Sequence, residues 1–311
     1  MSEEFAIEVS HLTKTFGKKN AVDDISLNVK KGEVFGLLGP NGAGKTTTLR
    51  MITTLLKSTS GSVKIFGHDV NEDSRLVRSM FGFTGQYASV DEDISARENL
   101  MIFSRLNGLS RSESKQRTND LLEEFSLVNS ADKAISNFSG GMRRRLDLAI
   151  SLITQPPLIF LDEPTTGLDP RTRNQMWDTI RDLVAKGSTI VLTIQYLEEA
   201  DELADRVAVI DHGKLIKMGT PAKLKADIGG SALSLTLEKS DQVEEAKSLL
   251  KHTLGTDAQV YGEELQAPLE DTNQVVSILN RLKEKNINIA NISVKEPSMD
   301  DVFFALTVGK N

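Results

Sequence analysis

The 311-residue chain contains no cysteine. It therefore holds no disulfide, no zinc–thiolate centre and no thiol nucleophile. It also lacks any apolar run near the roughly 18 residues a membrane-spanning helix needs, so a role at a membrane would require another chain to supply the spans. The opening Met1-Ser2-Glu3-Glu4 has neither the basic start nor the apolar stretch expected of a signal peptide. Positive charge is in deficit: 37 Lys and Arg against 44 Asp and Glu leave a formal net charge of -7. No global basic surface for nucleic acid is expected from that balance. The four histidines, His11, His68, His212 and His252, are scattered and share no metal-site spacing. There are no repeats and no low-complexity tracts.

What is present suits an ordinary globular protein: 39% apolar and 26% charged residues. The length allows one large α/β domain plus a smaller one. Phe5, Ile7 and Val9 alternate with polar residues, as do Ile25, Leu27 and Val29. With Val63, Ile65 and Phe66 they predict half-buried antiparallel strands. Denser β-rich runs follow at Val34–Leu38, Leu158–Leu161, Ile190–Ile194 and Val207–Ile210. Such runs suit a parallel sheet covered on both faces by helices. Between about 87 and 145, Leu100, Phe103, Leu106, Leu121, Leu122, Phe125 and Leu127 recur at helical spacing, with a break at Asn107-Gly108. This predicts a helical insertion into an α/β core. His212-Gly213 marks a hairpin. Pro221 and Gly229-Gly230 place a boundary between domains 1–228 and 229–311. Beyond it Leu233, Leu235 and Leu237 alternate, and Val243, Ala246, Leu249 and Leu250 are helical. Asp271 is a candidate cap for a helix carrying Val275, Val276, Ile278 and Leu279. Ser298 with Asp301 resembles a capping box.

Gly39-Pro40-Asn41-Gly42-Ala43-Gly44-Lys45-Thr46 fits the phosphate-loop pattern G-x-x-x-x-G-K-[ST]. The strand Val34–Leu38 precedes it and a helix is expected from Thr47, so the context is right. Glycines let backbone N–H groups surround phosphates, and the helix start adds positive potential. Lys45 supplies a point charge for the β- and γ-phosphates of ATP, and the Thr46 hydroxyl a ligand for Mg²⁺. The strand at Pro157–Leu161 ends in Asp162-Glu163. Asp162 is then a candidate Mg²⁺ ligand opposite Thr46, and Glu163 a candidate to polarise the attacking water. Taken without the phosphate loop, the pair would read equally well as a solvated acidic turn.

A second glycine turn, Ser139-Gly140-Gly141, opens a helix carrying Leu146, Ala149, Ile150 and Ile153, with Ser139 as its N-cap. It makes a second anion site for which a chain with one nucleotide loop has no obvious use.

These motifs together resemble the ABC ATPases over roughly residues 5 to 220. Ser139-Gly140-Gly141 is similar to their signature. Leu161-Asp162-Glu163-Pro164-Thr165-Thr166-Gly167-Leu168-Asp169-Pro170 is similar to their Walker B and D-loop. Gln86 stands at the place of their Q-loop glutamine. Ser-Gly-Gly-Met-Arg-Arg-Arg-Leu from Ser139, the run Thr193–Asp201 and Pro297–Phe303 resemble one branch, the daunorubicin-resistance ATP-binding subunits that pair with a separate permease. The resemblance implies an α/β P-loop core with an antiparallel β subdomain and a helical subdomain, followed by a small α+β C-terminal domain. It implies ATP and Mg²⁺ as cofactors, Gln86 as a further metal contact, and Gly39 to Thr47 together with Ser139, Gly140, Gly141 and Asp169 around nucleotide. It implies a head-to-tail homodimer, a membrane permease as partner, a position at the cytoplasmic face of the membrane, and export of a drug, antibiotic or lipid-like compound. A soluble ABC ATPase acting on ribosomes or DNA would carry the same motifs; it usually has two cassettes or a long coiled coil, and this chain has one cassette and no heptads.

The chain departs from the family at several places. Gln195 stands where a histidine is usual; it can hydrogen-bond a γ-phosphate but cannot become cationic, or it is simply a polar loop residue. Met142 replaces the usual signature glutamine. Phe16 is either the aromatic that stacks on adenine or an ordinary core residue. Asp169 either touches the opposing subunit or merely starts the turn with Pro170. Arg143 to Arg145 read as a solvated helix face or as contacts within the helical part, with a phospholipid or nucleic-acid patch as the alternative. The C-terminal domain shows no catalytic cluster and reads as a regulatory or dimer-stabilising appendage.

Overall fold

The alternating start of the chain forms β1 (Phe5–Phe16) and β2 (Lys19–Lys30), paired antiparallel with Ile7 opposite Val29 and Val9 opposite Leu27. Ile7 and Val9 of β1 and Ile25, Leu27 and Val29 of β2 are buried, while Glu8, Ser10 and Ser26 between them are exposed, the period of two expected of a half-buried strand. The computed structural model describes residues 5–85, 90–229, 231–269 and 273–307. Next come β3 (Val34–Leu38) and α1 (Lys45–Ile52). β4 (Ser60–Ile65) then pairs with the free side of β1, and β5 (His68–Asp69) pairs with β4. These four strands form one antiparallel sheet, ordered β2-β1-β4-β5.

The central sheet is assembled from distant segments. After α2 (Ser74–Ser79) come β6 (Phe81–Thr84), α3 (Ala96–Leu106), α4 (Arg111–Glu124) and α5 (Gly140–Ser151). Then follow β7 (Leu158–Asp162), α6 (Pro170–Ala185), β8 (Thr189–Ile194), α7 (Leu197–Leu203), β9 (Arg206–Asp211) and β10 (Lys214–Gly219). The strand order is β10-β9-β3-β8-β7-β6. All neighbours are parallel except β10, which returns antiparallel to β9 through the His212-Gly213 hairpin. Every residue of β3, β7 and β8 is buried, which accounts for their continuous apolar runs. Strand β6 escapes sequence analysis because its four residues, two of them half-buried, carry neither a long run nor clear alternation.

The helical insertion is set by its caps. Ser95 with Glu98, and Ser110 with Glu113, form reciprocal capping boxes that start α3 and α4. Asn107 and Gly108 (φ 89°) separate the two helices. Among the described residues no helix is long and apolar enough to cross a membrane.

The chain divides into two compact units, Met1–Pro221 and Ala222–Asn311, passing between them at the start of α8 (Pro221–Ala226). The second unit has its own sheet, built from β11 (Ala232–Leu237), β12 (Gln259–Tyr261), β13 (Glu264–Pro268) and β14 (Ile289–Lys295) in the order β12-β13-β11-β14, all antiparallel. Leu233, Leu235, Leu237 and Leu265 pack against Ala246 and Leu250 of α9 (Val243–Leu254) and Ile278 and Leu282 of α10 (Gln274–Glu284). The expected cap Asp271 lies outside the described residues. Ser298 and Asp301 do close a reciprocal pair at the start of α11 (Met299–Thr307).

Glu199 of α7 is 1% exposed and accepts a hydrogen bond from Thr165 Oγ1 at 3.0 Å. Burial pushes its carboxyl up to about 7, with the Thr165 bond and the charges of Arg173 and Arg144 offsetting part of the effect. The folded state thus holds this proton more tightly than the unfolded chain does. That contribution to stability is complete below the ordinary value of 4.5 and is lost as pH rises through about 7. The expected loss is on the order of 3 kcal/mol. In urea titrations from about pH 5 to about pH 8, the midpoint should fall for the parent and stay flatter for Glu199→Gln. Parallel curves for the two proteins would refute the assignment.

Candidate functional site

The parallel registers put three strand ends level. Leu38 of β3 lies opposite Ile194 of β8, and Asp162 of β7 lies opposite Thr193 of β8. The loop after β3, the acid pair after β7 and Gln195 after β8 therefore leave the sheet along one edge. Ligands of open α/β sheets bind at this edge.

The phosphate loop runs from Gly39 to Gly44, and Lys45 begins α1. Gly44 caps the helix in the left-handed region, with φ 108°, and a Cβ there would lie 2.5 Å from Ala21 O. Only glycine fits that position. The His212-Gly213 hairpin braces the loop from outside: Gly213 N donates to Ala43 O at 2.9 Å, and Asp23 N donates to Gly213 O at 2.7 Å. No acidic residue lies in the first turn of α1, so nothing there opposes an anion at its N-terminus. Gly42, Ala43, Gly44, Lys45, Thr46, Thr47, Pro40, Asn41 and Ala21 line a cavity of about 180 Å³, and Glu163 lines it from the facing side.

Lys45 is 5% exposed, and its Nζ donates to Gly39 O at 2.6 Å and Pro40 O at 3.3 Å. Burial lowers its pKa, while the carboxylates of Glu163 and Asp162 act in the opposite sense and favour the cation. Asp162 is 3% exposed. Its Oδ1 accepts from Thr46 Oγ1 at 3.1 Å and from Thr193 Oγ1 at 2.7 Å. Thr193 also accepts from Glu163 N at 2.8 Å. Glu163 itself has φ 50°, a left-handed backbone that is uncommon outside glycine. Thr166 Oγ1 donates to Gln195 Oε1 at 2.8 Å and stands 3.5 Å from Glu163 Oε2. Gln195 is thus tied to the acid turn.

The remaining expected residues are distributed as follows. Ser139 caps α5, accepting from Met142 N at 3.3 Å, and both Ser139 and Gly140 are exposed. A Cβ on Gly141 would come within 2.2 Å of Thr172 Cγ2 at the start of α6. Asp169 caps α6, accepting from Thr172 N at 3.0 Å and Thr172 Oγ1 at 2.6 Å, and these bonds lower its pKa. Phe16 ends β1, is 52% exposed, and lies under Lys14 Nζ at 5.1 Å from the ring centroid. Gln86 lies outside the described residues. The arginine run separates: Arg143 and Arg145 bond inside the helical insertion, to Glu92 and to Phe125 O, whereas Arg144 reaches the strand ends. Sequence analysis misses Thr193, Thr166 and Arg144 as site residues, because each acts through partners far along the chain.

Comparison with known proteins agrees with this geometry. Residues 22–166 match the ABC transporter family, and residues 219–307 match the C-terminal domain of DrrA1-3-like ATP-binding proteins. The chain is 46% identical to the daunorubicin/doxorubicin resistance ATP-binding protein DrrA of Streptomyces peucetius, covering 97% of this chain and 92% of that one. It is 39% identical to the Nod factor export ATP-binding protein I of Sinorhizobium fredii, covering 97% and 86%. An ATP-binding cassette solved as a dimer in a post-hydrolysis state with ADP and phosphate superposes with a TM-score of 0.63 at 27% identity, covering 69% of this chain and 98% of that one. This chain belongs to the ABC transporter family, as an ATP-hydrolysing subunit of the daunorubicin/doxorubicin resistance ATP-binding type.

Proposed function

We propose that the chain binds ATP along the edge formed by β3, β7 and β8, and that two copies close head to tail around two nucleotides to drive a separate membrane permease. The observation that carries this reading is the level ending of the three strands, which brings Lys45 and Glu163 to the wall of one cavity of about 180 Å³ and sets Asp162, bonded to Thr46, beside it.

In this reading the backbone of Gly39 to Thr47 wraps the phosphates and donates its N–H groups, which every residue there but Pro40 has, with Lys45 as the point charge on the β- and γ-groups. Thr46 and Asp162, two oxygen donors already within 3.1 Å of each other, suit Mg²⁺, which takes few protein ligands and completes its shell with water and phosphate oxygens. Bound there, the ion would neutralise charge on the phosphates. Glu163 accepts a proton from the attacking water. Gln195, whose carbonyl receives the Thr166 hydroxyl, presents its NH₂ as a donor to the γ-phosphate. Phe16, exposed at the end of β1, is the candidate adenine contact, and Gln86 the candidate further metal contact.

The dimer is supported by the exposed Ser139-Gly140 helix start, by one phosphate loop and one signature per chain, and by the dimeric state of the similar cassette. Asp169, engaged within its own chain as a cap, can still face the opposing subunit through its exposed side. The similar proteins are named for resistance to daunorubicin and doxorubicin or for Nod factor export. We infer export of a drug, antibiotic or lipid-like compound from the cytoplasmic face, with the permease reading the substrate.

Glu163→Gln should lower kcat about a hundredfold or more while leaving ATP binding intact. With ATP and Mg²⁺ its mass in solution should double, and omitting either should return it to the monomer. A strict monomer, both alone and with a permease, would sink the dimer.

The transport assignment is checked by capturing Glu163→Gln, held in ATP and Mg²⁺, from detergent-solubilised native membranes. A polytopic membrane protein recovered at near 1:1 is expected. Ribosomal or DNA-repair proteins in its place would keep the ATPase chemistry and overturn its purpose.

A further inference from the structure

Arg144 lies in the second turn of α5, one helical turn beyond Gly140. Its side chain is 12% exposed. Its guanidinium makes three hydrogen bonds to backbone carbonyls: Nη2 to Asp162 O at 2.8 Å, Nε to Pro164 O at 3.0 Å, and Nη1 to Gly85 O at 2.6 Å. Two of these carbonyls flank Glu163 on either side. The third belongs to Gly85, the residue that follows β6.

Glu163, between the two clamped carbonyls, has φ 50°. A side-chain-bearing residue adopts that conformation at a cost, and keeps it only where its surroundings over-determine it. Thr193 Oγ1 fixes the N–H of Glu163, and Arg144 fixes the carbonyls before and after. The bonds come from a charged, rigid planar donor, which makes them stronger and more directional than neutral ones. Asp147, Asp162, Glu199 and Glu163 favour the cation against its burial.

We propose that Arg144 is a positioning residue: it clamps the backbone on both sides of Glu163 in the left-handed conformation that aims the carboxylate at the phosphate-loop cavity, and ties that conformation to the seating of the signature helix. The proposal rests on the assignment of Glu163 as the carboxylate that activates water. Gly140 and Arg144 lie one turn apart in one continuous hydrogen-bonded helix, so a shift of Ser139–Gly141 would be carried through Arg144 to the peptide units around Glu163. In the head-to-tail dimer this puts each chain's own carboxylate in mechanical series with the helix that caps its partner's ATP.

The test uses the full chain with Arg144→Met, which keeps the apolar stem and removes every donor, and Arg144→Lys, which keeps one charged donor. Arg144→Met should lower kcat about 10-fold or more with KM for ATP within about threefold, because the change acts on transition-state geometry rather than ATP binding. Arg144→Lys should recover part of the loss. Hydrogen exchange should lose protection in the segment 161–166 while α4 and the second unit keep theirs. Unchanged protection at 161–166, or a rise spread evenly over the chain with kcat and KM moving together, would overturn the proposal. Should Arg144→Met not fold, Arg144→Lys carries both measurements. The exchange arm needs no turnover, so a parent chain that fails to hydrolyse ATP would count against the ATPase reading and leave the clamp to be decided by exchange.

Discussion

A single buried carboxylate holds the site together. Asp162 Oδ1 accepts the hydroxyls of Thr46 and Thr193, and its backbone carbonyl accepts Arg144. The phosphate-loop helix, the strand that leads to Gln195 and the signature helix thus converge on one residue at the end of β7. A carboxylate only 3% exposed is costly to bury without donors, so removing any of these partners perturbs the other two. The level strand ends create the meeting point. The hydroxyl pair then fixes the relative positions of Lys45, Glu163 and Gln195 more tightly than strand register alone would.

The parts of this site that were legible in the sequence are those whose chemistry is contiguous. Gly39 to Thr46, Asp162-Glu163 and Ser139 to Gly141 each carry their meaning within a few residues, because a loop, a strand end or a helix start is a local object. The parallel core strands were equally legible, since burial on both faces leaves a run of apolar residues. What could not be read were the cross-links. Nothing near Thr193 announces that its hydroxyl serves both Asp162 and the N–H of Glu163, 30 residues away. The arginine run illustrates the same limit. Three adjacent arginines look alike, yet a helix points successive side chains in different directions, about 100° apart. Arg144 therefore reaches the sheet while Arg143 and Arg145 stay with the insertion. The strands β6, β12 and β13 are not legible because none of them carries a continuous apolar run.

The second unit follows a different logic. Its antiparallel sheet has helices α9 and α10 against one face, and its core is assembled from its own residues. It carries its own turn devices, among them Gly255 closing α9 in the left-handed region with φ 72°. A unit with its own core can vary without disturbing the strand ends that carry the chemistry. That independence agrees with a separate family match for residues 219–307.

Gln195 bears on how the site manages charge. A histidine there could take up a proton; a glutamine offers only a fixed dipole. Thr166 Oγ1 donates to Gln195 Oε1 at 2.8 Å, and with the amide in that orientation its oxygen is engaged by the acid turn. The NH₂ end is then the one left for an anion. In the proposed reading, positive charge opposite the transferred phosphoryl group would come from Lys45, from a metal that Thr46 and Asp162 would hold, and from backbone N–H groups at the start of α1. In the proposed reading the acid–base step is assigned to Glu163. If Glu163 is the group that activates water, as proposed, its effect depends on where its carboxylate is held, and the constraints on its backbone, Thr193 Oγ1 on its N–H and Arg144 on the carbonyls either side, set that position.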